Sequence, residues 1–256
     1  YTKISYKKSQ NNYKWRTTTA SMQAKFQEGN TSTKEDNKAS YVYGEKEIFY
    51  VDQVETRNYI ALFYTSPRQD ALGVNNENGG INRTNELQKL DSIKLYTKAG
   101  FIELNKVPVS AVFFEYDYSL ALHQPNSIDN VGKLSLKKLW IEQGESSKGK
   151  ENPYLFYYRN NPNYHPQHVD RWGNYKRQLP TLPPNDDFPY TVQDKLVQDS
   201  FSYAWHLDSI FMPNGSAYSI KYESDDYAYV QDKRAMVMCP ILGFANSSTA
   251  ALSALS

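Results

Sequence analysis

Aromatic side chains supply much of what this chain can bury. The 256 residues include 22 Tyr, 11 Phe and 4 Trp, yet the mean hydropathy is only −0.72. Tyrosine pairs a large apolar body with a polar tip, so it favours half-buried positions on pleated surfaces and at interfaces. A chain of this length can bury roughly three quarters of its unfolded surface. When the buried material is so largely tyrosine, the expected outcome is broad, thin sheets with half-wet faces.

The periodicity agrees. Residues 111–118 alternate strictly, with Val112, Phe114, Tyr116 and Tyr118 on one side and Phe113, Glu115 and Asp117 on the other. Period two is the signature of a strand. Further strands are read at 3–6 and 21–26, as two strands within 41–65, and at 90–96, 134–141, 153–158, 207–211, 217–223 and 235–242. The 90–96 strand follows a short polar lead that could be helical. Residues 66–82 read as a loop, because Gly73, Asn75, Asn76, Asn78, Gly79 and Gly80 are breakers. A hairpin is expected across 144–149, and another across Pro213-Asn214-Gly215-Ser216. Pro162, Pro166, Pro180, Pro183, Pro184 and Pro189 make 160–190 a long proline-rich loop. The spacing of Val192, Leu196, Val197, Phe201, Ala204 and Trp205 predicts one short amphipathic helix within 191–205. Hairpin signals without alternating helices predict an all-β, mostly antiparallel sheet, shell-like or sandwich-like. One internal echo stands out: Leu90-Asp91-Ser92-Ile93 recurs as Leu207-Asp208-Ser209-Ile210. Each copy opens a strand in this reading and is followed by an aromatic-rich one, so the same kind of strand pair is expected twice.

Charge and cysteine usage narrow the function. Lys and Arg number 29 against 28 Asp and Glu, which gives no basic footprint for nucleic acid. No run of 18 apolar residues offers a membrane span. The single cysteine, Cys239, rules out an internal disulfide framework. The sequence divides into a polar lead-in at 1–40, a β-rich region at 41–244 and a small-residue tail at 245–256. The first and last residues suggest a segment of something longer.

Few constellations carry chemistry. His165, His168 and Asp170 have the residue types of a metal site, but lie in a loop and need a further ligand from elsewhere. The competing reading is imidazoles bonded to backbone. Glu223, Asp225 and Asp226 form an acidic turn without the glycine-centred loop of a calcium site. The glycine-rich 73–80 stretch lacks the lysine of a phosphate loop. Cys239 reads as a small buried hydrophobe. Trp172 and Tyr175 could form an exposed sugar-binding platform, and Trp140 and Trp205 flank strands; core packing is the alternative for all four. No catalytic, cofactor-binding or metal-binding residue is assigned, and no cofactor is expected.

Several stretches carry a family resemblance: Leu90-Asp91-Ser92-Ile93, Phe114-Glu115-Tyr116-Asp117-Tyr118-Ser119, Asp170-Arg171-Trp172-Gly173-Asn174-Tyr175 and Tyr222-Glu223-Ser224-Asp225-Asp226. With these the chain resembles very large surface or secreted proteins of Bacteroidetes, in the style of Rhs/YD-repeat proteins. That resemblance implies a β-sheet scaffold without catalytic residues, exported by type IX secretion to the outer cell surface or beyond. Its partners would be other segments of the same large chain or assembly, and an enclosed effector or surface partner. Two other readings stand beside it: a glycan- or surface-binding adhesion module, and a metal-dependent hydrolase.

Overall fold

The computed structural model describes residues 1–9, 11–19, 41–102, 106–165, 168, 174–177, 195–225, 228–230, 232–234, 243–244 and 253–254. Strands take up 55% of the chain, more than twice the usual share of a globular domain. Nine of them form one antiparallel sheet. In spatial order these are β1 (Lys3–Lys8), β4 (Phe49–Glu55), β5 (Tyr59–Asn76), β6 (Gly79–Thr97), β7 (Ser110–Leu120), β8 (Lys133–Gln143), β9 (Tyr154–Tyr158), β10 (Leu207–Phe211) and β11 (Ala217–Ser219). Strands β2 (Tyr13–Thr17) and β3 (Val42–Lys46) pair separately as a ribbon. The expected all-β antiparallel architecture is therefore present, and α2 (Lys195–Ser202) lies within the predicted helical stretch. A second, single-turn helix, α1 (Lys98–Ile102), follows β6 and sets Phe101 edge-on to Tyr96 with ring centres 5.5 Å apart. The strands expected at 21–26 and 235–242 lie outside the described residues, as does most of the proline-rich 160–190 stretch.

Cross-strand partners share a face, so the register separates the two sides of the sheet. On one side Ile4, Val54, Ala61 and Leu95 line up. Next along come Phe63, Ile93, Val112 and Ile141, then Phe114, Leu139 and Tyr154, then Phe156, Ile210 and Tyr218. This face is apolar across all nine strands. The other mixes charge with aromatics: Tyr64, Ser92, Phe113 and Trp140 follow one another, with Phe113 stacked on Trp140 at 5.3 Å. The apolar face is open where Ile141 is 41% and Tyr218 61% exposed.

Residues 66–82 correct the expected loop. They are the far ends of β5 and β6, joined by a tight turn at Glu77 and Asn78. Beside the turn Gly79 and Gly80 take φ of 82° and 85°, which glycine adopts without strain. The polar lead into 90–96 is strand as well, since β6 runs unbroken from Gly79. Local propensity lost here to tertiary pairing. The overhanging hairpin end is covered by the β2–β3 ribbon and by residues 120–132, and the best-buried side chains, Leu72 and Val74, sit inside. The Asn85 side chain clamps the ribbon, accepting from Lys14 N (2.9 Å) and donating to Asn12 O (2.8 Å). Leu72 N donates to Asn126 O at 2.9 Å. Asp70, whose side chain is 2% exposed, is held bidentately by Arg68 and also accepts from Leu134 N at 2.8 Å. A Cβ at Gly73 would lie 2.7 Å from Lys14 O, so only glycine lets the ribbon dock this closely.

Leu72→Ala is expected to lower unfolding free energy by about 3 kcal/mol. Ile141→Ala on the half-open face should cost about 1 kcal/mol or less, since the side chain is already partly solvated. Urea denaturation of both variants checks the contrast, and equal losses would mean the open face is packed.

Candidate functional site

Among the described residues, those first suspected of chemistry do not assemble into a metal site. The rings of His165 and His168 lie 4.4 Å apart, tilted by 31°. Asp170 is outside the described residues. Among the described residues no three His, Cys, Asp or Glu side chains are grouped to hold a metal. The ring of His168 meets Tyr175 at 6.2 Å, and Tyr175 packs edge-on to Trp205 at 4.9 Å and Phe201 at 5.7 Å. Tyr175 is thus half-buried as a packing residue against α2 and its exit; Trp172 lies outside the described residues. Trp205 donates its indole N–H to Pro162 O at 2.6 Å and holds φ of 62°, a left-handed conformation unfavourable for an aromatic residue. In the acidic turn, Ser224 donates from its backbone and its hydroxyl to Asp199 Oδ1, both at 2.9 Å. Trp140 donates to Glu142 Oε1 at 3.0 Å. The glycines of 73–80 belong to a hairpin, and Cys239 is outside the described residues.

The organised feature is a repeat. The register of the sheet slips by one residue at four equivalent places. Tyr6 and Ser5 oppose Val51 and Gln53, leaving Asp52 as the extra residue. Thr65 and Tyr64 oppose Leu90 and Ser92, leaving Asp91. Tyr116 and Glu115 oppose Leu136 and Lys138, leaving Lys137. Tyr158 and Tyr157 oppose Leu207 and Ser209, leaving Asp208. Each is a one-residue β-bulge, and all lie on alternate strands: β4, β6, β8 and β10. The Leu-Asp-Ser-Ile echo in the sequence marks two of them. Both copies sit inside the pattern, although Leu90 lies in the middle of β6 and does not open it. Of the other two, Val51-Asp52-Gln53-Val54 keeps the apolar ends and the aspartate, and Leu136-Lys137-Lys138-Leu139 keeps the apolar ends alone.

Tyrosines tie successive bulges together. Tyr116 stands opposite Leu136 and donates its hydroxyl back to Leu90 O at 2.9 Å. Tyr158 stands opposite Leu207 and donates back to Leu136 O at 3.1 Å. Tyr222 donates back to Leu207 O at 3.0 Å. A bulge leaves the ladder locally incomplete, and the hydroxyl supplies a donor to the carbonyl beside it. Burial, chiefly, raises the pKa of Tyr116 and Tyr158 above the usual 10, so both remain neutral donors. Thr65 occupies the tyrosine position next to β4.

The extra residue carries charge in all four units. Lys137 Nζ lies 3.7 Å from Asp117 Oδ2, and Asp208 Oδ1 lies 2.9 Å from Arg159 Nε. Asp117 and Arg159 each follow the tyrosine, so the two pairs occupy one position with their signs exchanged. The Arg159 N–H is not aligned on Asp208 Oδ1, which makes that contact an ion pair and not a hydrogen bond. Asp91 is paired with Lys89. Lys7 follows Tyr6 as Arg159 follows Tyr158, and it lines the same shallow depression as Asp52.

Comparison with protein-family models, curated proteins and solved structures returned no match.

Tyr158→Phe is expected to cost about 1 kcal/mol in urea unfolding, the worth of one partly buried hydrogen bond. Burial, then His165, then Arg177 hold His168 below its usual pKa of 6.5. The unfolded chain therefore binds the proton first, and stability should fall as pH drops below about 6.5. His168→Asn should flatten that slope, measured as urea midpoints between pH 7.5 and 5.

Proposed function

We propose that this chain is a non-enzymatic scaffold segment of a large exported bacterial surface protein, a stretch of curved single-layer sheet that supports or encloses other material. The observation that carries this reading is the bulged strand pair, repeated four times and joined to an apolar face that runs across all nine strands. A bulge bends its strand and increases right-handed twist. Placed on every second strand, bulges bend the sheet by the same increment each time, which suits a wall. An amphipathic sheet needs a cover for its apolar side, and in a scaffold that cover is the material it carries or adjoins. The resemblance to Rhs/YD-style surface proteins supplies the exported setting and is consistent with this arrangement.

The test compares the isolated chain with its parent assembly. In a Cys239→Ser background, Ile141→Cys and Tyr218→Cys place thiols on the half-open apolar face. The expected outcome is rapid maleimide labelling in the isolated chain and strong protection in the assembly. Equal labelling in both would overturn the scaffold reading.

A further inference from the structure

The first strand of the sheet carries half of a bulge tie. Tyr6 of β1 holds the same position as Tyr116 and Tyr158: it stands opposite the apolar residue that opens the next bulge, here Val51. In the other strands this tyrosine also donates back to a leucine carbonyl on the strand before it. Among the described residues no strand lies on that side of β1. The Tyr6 side chain is among the exposed ones, at 59%, and its hydroxyl has no hydrogen-bond partner among the described residues.

We propose that the outer edge of β1 is a docking site for an antiparallel strand of the bulged type, with a Leu-Asp-Ser-Ile pattern, supplied by another segment of the parent assembly. The register follows from the internal copies. Ser92 opposes Phe113, Lys138 opposes Leu155 and Ser209 opposes Ser219, and in each case the donating tyrosine lies three residues further on. Counting back from Tyr6 places Lys3 opposite the serine of the incoming strand. The carbonyl of that strand's leucine then meets the Tyr6 hydroxyl.

A second copy of this chain is a poor occupant. Among the described residues the one-residue bulge that faces a tyrosine position falls on every second strand, and neither outer strand, β1 or β11, carries one. Joining two edges of one type would leave Tyr6 without a bulge to meet. Lys3, Lys7 and Lys8 on β1 also deter indiscriminate pairing, as lysines on edge strands commonly do.

The inference deepens the scaffold reading and rests on it for its biological sense, but its test is independent of the labelling experiment, so either can fail alone. A fluorescent peptide with the sequence of residues 88–97 is titrated into the intact 256-residue chain and followed by anisotropy. A second peptide lacks the residue corresponding to Asp91. The full peptide should bind saturably, and the shortened one roughly tenfold more weakly, a difference of about 1.4 kcal/mol. Tyr6→Phe should weaken the full peptide about fivefold and leave the shortened one unchanged; circular dichroism should confirm that this exposed substitution leaves the fold intact. A photo-crosslinker at the peptide serine should capture residues around Lys3. Equal affinity for both peptides, no saturable binding, crosslinking to β11, or self-association of the chain through β1 would each overturn the proposal.

Discussion

A hydroxyl-to-carbonyl bond repeated across the sheet is the interaction on which the architecture turns. Each bulge opens the strand ladder at one residue. At the bulges of β6, β8 and β10 a tyrosine further along reaches the carbonyl beside that opening, and two of these tyrosines, Tyr116 and Tyr158, also face the leucine of the next bulge. Leu90, Tyr116, Leu136, Tyr158, Leu207 and Tyr222 thereby form a continuous chain of contacts from β6 across five strands to the segment that follows β11. A slip at any one bulge would move the next tyrosine off its carbonyl. Register is therefore specified cooperatively, in a sheet whose thin apolar content would specify it only weakly.

The same device gives direction. From one bulge to the next the pairing moves two residues along the intervening strand. Gln53 meets Leu62 while Ser92 meets Tyr64; Ser92 meets Phe113 while Lys138 meets Glu115; Lys138 meets Leu155 while Ser209 meets Tyr157. A constant offset combined with a bulge on every second strand, each of which adds right-handed twist, is the arrangement a curving wall requires. Packing strength lies elsewhere, at the overhanging end of the β5–β6 hairpin. There the ribbon, the 120–132 segment and the Arg68–Asp70 pair enclose Leu72 and Val74. The molecule joins a repetitive half-wet sheet to one compact anchor.

Much of the fold was legible in the residues. The alternation at 111–118, the aromatic run at 154–158 and the Asn-Gly turn at 214–215 each encode their element locally, and each stands as read. The Leu90 and Leu207 echo correctly marked a recurring strand pair. Two of the four copies were hidden, because Asp52 and Lys137 share a backbone role with Asp91 and Asp208 but neither neighbours nor, for Lys137, even charge. A bulge constrains the backbone and asks of the side chain only that it reach solvent or an opposite charge. The exchange of sign between Asp117–Lys137 and Arg159–Asp208 shows how loosely that condition binds the sequence.

By itself the sequence determined the class: period-two patterning with tyrosine as the main apolar body permits strands that are half buried on both faces. Tertiary structure alone decided where those strands end and what they serve. Residues 66–82 carry glycines and asparagines that locally favour a loop, yet they run as strand because they pair across the hairpin and bond to Thr19, Tyr118 and Asn126 beside it. His165 and His168 were brought close, and among the described residues no third ligand type joins them; loop residues are placed by the packing of Tyr175, Phe201 and Trp205 and not by their own spacing. Spacing along a chain fixes which way a side chain points on its own strand; which groups meet across strands is set by register, and register belongs to the whole sheet.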